Sequence, residues 1–159
     1  MSMEAHIQAQ YFKWCNVNRV LHPELNYIYH VPNGGKRDGL TAGLMVAQGV
    51  KRGVFDVHYN GKLAGTSYPW RGLAVEIKSK FGHLSPDQKR WWAWYMVNDI
   101  YTDIWRDPVE AAEETCKLLG FNYEKTVSVT EAWRVRRGVK GNEKKAKMFE
   151  AIGVDHALL

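Results

Sequence analysis

The chain has 159 residues, 45% of them hydrophobic and 25% charged, and carries a net charge of +5. These are ordinary values for one soluble globular domain with a real core and room for a short appendage, and the positive balance favours acidic partners such as nucleic acid. No apolar run approaches a membrane span, the start of the chain lacks the order of a signal peptide, and Cys15 and Cys116 form neither a CxxC pair nor a zinc spacing, so an intracellular protein with free thiols is expected.

In chain order, Ile7, Tyr11, Trp14 and Cys15 recur at helical spacing and predict an amphipathic helix over 4–20. "NYIYHV" (26–31) is rich in aromatic and β-branched residues and predicts a strand. "PNGGKRDG" (32–39) crowds Pro, Asn and Gly into a loop, and a helix over about 41–50 follows. "GVFDVHYNG" (53–61) reads as a short strand entering an Asn-Gly turn, and "LAVEIKS" as another strand. In "SPDQ", Ser85 is a good N-cap, Pro86 suits the first helical position and Gln88 completes a capping box. A helix through "QKRWWAWYMV", a strand over 100–106 and a helix from Pro108 to Leu119 complete the core. Asp107 caps that last helix, Glu110 is expected to close its capping box, and Gly120 ends it. From residue 121 the texture turns basic. The expectation is an α/β core with a small mixed sheet flanked by helices over 1–120, and a basic C-terminal extension over 121–159.

Glu76 and Lys78 lie two apart in an apolar strand and so share a face. Alone they are explained as well by a solvent-facing ion pair on an edge strand. Asp56 sits in another strand-like run, where an ionised carboxylate is costly unless paired or bound to a metal. Two carboxylates beside an ammonium suit Mg²⁺, which takes hard oxygen ligands and substrate phosphate. Lys78 would then orient water and balance developing negative charge. On the residues alone, both readings stay open.

The ordered set "EAHIQ", "HVPNGGKR", "KRGVFDV", "VEIK" and "LSPDQKRW" resembles the VRR-NUC family of the PD-(D/E)XK nuclease superfamily, closest to stand-alone members from phages and prophages. The resemblance covers residues 4 to about 119. It implies a restriction-endonuclease-like core and an endonuclease that cuts DNA with Mg²⁺ or Mn²⁺ in the cytoplasm of a bacterial host. It assigns the metal to Asp56 and Glu76, with Glu4 completing the site, and catalysis to Asp56, Glu76, Lys78 and Gln88. One departure is Phe55, where the family usually has Pro; its side chain is expected to face away from Asp56. Stand-alone members resemble Holliday-junction resolvases, which implies a homodimer acting on branched DNA. A nicking or flap-cutting nuclease is the alternative within the enzyme class. A non-catalytic DNA-structure-binding protein is the alternative outside it.

Two of these residues have competing explanations: Glu4 can simply favour a helix N-terminus, and Gln88 is accounted for by its capping box. DNA contact is expected from Asn33, Lys36 and Arg37 in the glycine-rich loop, from Lys51, and from Arg134, Arg136 and Arg137 in the basic extension. A lone His58 is more often structural than a ligand. Trp91, Trp92 and Trp94 cannot all face one core, which leaves one of them free for an interface or for stacking on DNA.

Overall fold

The computed structural model describes residues 1–32 and 39–135 of the chain. Its helices and strands are, in order, α1 (Met3–Asn18), β1 (Ile28–His30), α2 (Gly39–Ala47), β2 (Val57–Tyr59), β3 (Gly72–Ile77), α3 (Pro86–Val97), β4 (Ile100–Trp105), α4 (Pro108–Leu119) and α5 (Val129–Arg134). Short 3-10 turns occupy Pro23–Tyr27 and Tyr123–Lys125. The four strands form one mixed sheet in the order β1-β2-β3-β4, antiparallel except between β3 and β4. A parallel pair cannot be joined by a hairpin, and α3 is the crossover. This is the helix-flanked mixed α/β sheet expected from the sequence.

Alternation along β3 sorts its residues to two faces. Leu73, Val75 and Ile77 join Val57 and Tyr59 in the larger core, with Ile7, Tyr11 and Trp14 of α1 and Ala111, Ala112 and Cys116 of α4. The small residues of α4 let α1 approach closely enough for the Tyr11 hydroxyl to meet Thr115 Oγ1 at 2.8 Å. Ala74 faces the other way, into a smaller cluster with Phe55 and with Tyr95 of α3. The caps behave as the residue types require. Ser85 and Gln88 form the expected capping box, and Gly120 ends α4 in the left-handed conformation at φ 87°, which favours glycine.

Three expectations are corrected. Asp56 is not mid-strand: β2 begins at Val57, and Asp56 occupies a bend just before it. The bend lets Phe55 enter the α3-side cluster while Val57 enters the larger core, which a continuous strand forbids for residues two apart. Glu110 does not close a capping box. Asp107 takes the Val109 and Glu110 N–H groups with its own side chain, and Glu110 accepts instead from Arg106 N at 3.4 Å.

The boundary at 120 also moves. Val127, Val129 and Ala132 are buried in the larger core, so the described part of the expected extension, residues 121–135, completes the domain. Its anchor is Asn18, fully buried near the end of α1. The Asn18 amide donates to the Val127 carbonyl at 3.0 Å and accepts from the Val127 N–H at 2.7 Å. A side chain thereby satisfies both backbone groups of a buried residue, as a neighbouring strand would.

Candidate active site

β3 lies inside the sheet, between β2 and β4. That removes the solvent-facing edge-strand explanation of Glu76 and Lys78. Glu76 is 3% exposed and points to the α3 side, opposite Val75 and Ile77. Lys78 Nζ donates to Glu76 Oε1 at 2.8 Å, and the Gln88 amide from the first turn of α3 donates to the same oxygen. The other oxygen, Oε2, is buried, and no described residue donates to it. A carboxylate oxygen in that state is costly.

Gln88 does both of its candidate jobs at once. Its Oε1 accepts from Ser85 N at 2.9 Å as the capping box demands, which turns its Nε2 toward Glu76. The cap that starts the helix thus aims a donor into the site.

Asp56 reaches the same place from the bend that precedes β2. Its Oδ2 accepts from the Ile77 N–H at 3.0 Å, continuing the ladder with a side chain where the backbone of β2 stops. On the far side of β3, Lys78 N donates to Trp105 O at 3.0 Å. The segment bearing Glu76 and Lys78 is therefore held from both sides. Burial pushes the Glu76 carboxyl up to about 7, and the negative charge of Asp56 adds to the rise, while Lys78 and Gln88 oppose it. Burial also raises Asp56, against the Ile77 N–H that favours its charged form. Poor hydration is the first cause of both rises.

Glu4 of α1 lines one cleft of about 570 Å³ together with Asp56, His30, Gln8 and Phe12. Its charge is felt at Asp56, raising it, and its Oε1 accepts from Ser79 N at 3.1 Å. Glu4 therefore touches the backbone just after Lys78. Arg106 is a residue the sequence reading missed. Its guanidinium donates to the carbonyls of Ser79 and Gly82, pinning the loop that leaves the site. Only the parallel register, with Ile77 beside Trp105, brings Arg106 there, so no local sequence signal marks it.

His58 lies on β2, shortly after Asp56. Its Nε2 pairs with the Phe55 carbonyl at 3.0 Å, and burial lowers its pKa. Phe55 is fully buried, edge-to-face with Tyr95 at 5.3 Å. Lys51 and Arg134 are exposed. Asn33, Lys36, Arg37, Arg136 and Arg137 lie outside the described residues.

Among the described residues, no three His, Cys, Asp or Glu side chains gather into a ready-made metal cage. Mg²⁺ does not need one, since it commonly takes one or two carboxylates and completes its shell with water and substrate phosphate. The unpaired Oε2 of Glu76, with Asp56 as its charged neighbour, is a hard-oxygen donor set that fits such an ion. No helix among the described residues is long and apolar enough to cross a membrane.

No protein-family model matches the chain, and no curated protein does so either. Among solved structures, one described as a VRR_NUC domain protein is similar with a TM-score of 0.57 and 20% sequence identity, over 77% of this chain and 95% of that one. At the level of fold, the chain is built like that VRR_NUC domain protein.

Proposed function

We propose that the protein is a divalent-metal-dependent endonuclease that hydrolyses DNA phosphodiester bonds, acting as a homodimer on branched DNA such as four-way junctions. The observation that carries the reading is Glu76: a carboxylate buried on an interior strand, one oxygen held by Lys78 and Gln88 and the other without a partner among the described residues. Asp56 beside it makes the pair expensive to keep ionised, which is the condition a divalent cation relieves. The ordered motifs and the fold shared with a VRR_NUC domain protein support the nuclease reading. The resemblance alone supports the homodimer and the branched substrate.

Asp56 and Glu76 would hold Mg²⁺ or Mn²⁺, which when bound neutralises phosphoryl charge and acidifies water. Lys78 orients the attacking water and balances the negative charge that grows on the phosphoryl oxygens. Gln88 keeps the Glu76 carboxylate in one orientation, and Glu4 and Arg106 hold the backbone that follows Lys78. The water oxygen bonds to phosphorus as the bond to the 3′ oxygen breaks. One water proton is lost to solvent and the leaving oxygen gains one, giving 5′-phosphate and 3′-hydroxyl ends.

The test incubates labelled four-way junction, flap and linear duplex with Mg²⁺, using wild type and Lys78→Ala. Junction is expected to be cut fastest, and Lys78→Ala to slow cutting by about 10²–10³-fold, the usual loss for one charge-stabilising donor. Intact DNA with every divalent metal sinks the enzyme reading and leaves a DNA-structure-binding protein. Faster cutting of flaps selects the flap-type alternative, and equal cutting of linear duplex removes junction selectivity. Undiminished cutting by Lys78→Ala overturns the site assignment, and a monomer in light scattering removes the homodimer.

A further inference from the structure

The side of α3 next to the site carries a feature that the hydrolysis does not use. Lys51, Arg52, Asp87, Arg90, Trp91 and Trp94 line an open cleft of about 650 Å³. Trp94 is 52% exposed, an unusual state for the largest apolar side chain. Trp91 is fixed: its Nε1 donates to the Arg52 carbonyl at 2.9 Å, and its ring meets that of Trp94 edge-to-face at 5.8 Å between centroids. Asp87, the cleft's acid, is paired with Arg90. Lys51 and Arg52 line the same cleft as exposed cations.

The cleft and the catalytic carboxylates share the first turn of α3. Gly53 has φ +80°, and a Cβ there would stand 2.6 Å from Asp87 Cβ and 2.9 Å from Gln88 N. Only glycine lets the 51–53 turn sit directly on the start of the helix, next to the Gln88 that touches Glu76. Asp56 follows three residues later, within about 10 Å of chain. Along α3, Trp91 and Trp94 lie one and two turns beyond Gln88, the second about 9 Å along the axis.

An aromatic face flanked by cations suits a nucleobase and its phosphate. Duplex DNA offers a protein only base edges in its grooves, so an indole face has nothing to stack on until a base leaves the helix. We infer that this cleft takes one unpaired nucleobase of the DNA substrate, stacked on Trp94 with its phosphate against Lys51 and Arg52. The inference deepens the endonuclease reading and rests on it for one point, that the captured base lies beside the bond to be cut. The site thereby selects DNA with an unpaired base at a junction, flap or bulge over continuous duplex.

The test uses the full chain in EDTA, so that no DNA is cut. The probes are a duplex with one unpaired 2-aminopurine and the same duplex fully paired. Wild type is expected to quench the unpaired 2-aminopurine and to bind its duplex about tenfold more tightly than the paired one. Trp94→Ala removes the quenching and that preference and leaves paired-duplex affinity within about twofold, while Trp94→Phe keeps most of both. Because Trp94 is half exposed, the variants fold; circular dichroism checks this. Equal binding of both duplexes by wild type, absent quenching, or equal loss on both duplexes in Trp94→Ala overturns the inference. Failure of the endonuclease reading is separate: Mg²⁺ leaves DNA intact while Trp94-dependent capture persists.

Discussion

The two faces of the central sheet are built to opposite standards. Beneath α1 and α4, β3 presents Leu73, Val75 and Ile77 to a core in which Tyr11, Trp14 and Trp105 are fully buried. Of the buried polar groups on that face, Asn18 and Thr115 have their partners, and the indole N–H of Trp105 has none among the described residues. Beneath α3, the same strand presents Glu76, with one carboxylate oxygen unpartnered among the described residues and a second carboxylate at its side. One face is arranged for stability. The other holds a destabilising arrangement that the first face must offset, which is what a site of chemistry looks like in energetic terms.

The contrast breaks most directly at Trp14. Trp14→Ala is expected to lower unfolding stability by about 3–5 kcal/mol, because a fully buried indole leaves a cavity, measured by urea denaturation. A loss under about 1 kcal/mol would mean that α1 is not part of a tight core.

Glu76→Gln sharpens it from the other side. The folded Glu76 keeps its proton to about pH 7, against an ordinary value of 4.5, so between those pH values the native state binds more protons than the unfolded chain. Metal-free stability therefore falls as pH rises through that window, by roughly 3 kcal/mol at most for a shift of this size. Glu76→Gln is expected to flatten the slope and to be more stable than wild type at pH 8, seen by urea unfolding at pH 5 and pH 8. Mg²⁺ at pH 8 should raise the stability of wild type and not that of the variant. A pH slope that Glu76→Gln leaves unchanged would show that the Glu76 carboxyl does not keep its proton in the folded state.

The smallest of the three effects is at Asn18. Asn18→Ala leaves the Val127 N–H and carbonyl without their partner and should cost about 1–3 kcal/mol. Hydrogen exchange at Val127 should speed up more than exchange in β3. An equal change at both would show that residues 121–135 do not open as a separate unit.

Much of this was legible along the chain. Caps are local, so Ser85, Gln88, Asp107 and Gly120 could be read from residue type and order. The charges Asp56, Glu76 and Lys78 stood out because they interrupt apolar runs. What misled was also local. The basic composition from Arg134 onward hid the apolar anchors Val127, Val129 and Ala132. The apolar run around Asp56 looked like one strand, although the bend there serves two separate clusters. Gln88 had two explanations that looked like rivals and are in fact the two ends of one amide.

The sequence by itself determined the order of elements, the helix starts and the residue types of the candidate site, because these depend on neighbours a few positions away. Only the tertiary structure decided that β3 is an interior strand, that Glu76 is buried with an unpaired oxygen, and that Arg106 and Glu4 flank the same backbone. It also decided that Asn18 stitches residues 121–135 into the core and that Gly53 seats the Lys51–Arg52 turn against α3. Each of these depends on strand pairing or packing between residues distant in sequence, and a contact of that kind leaves no periodic trace along the chain.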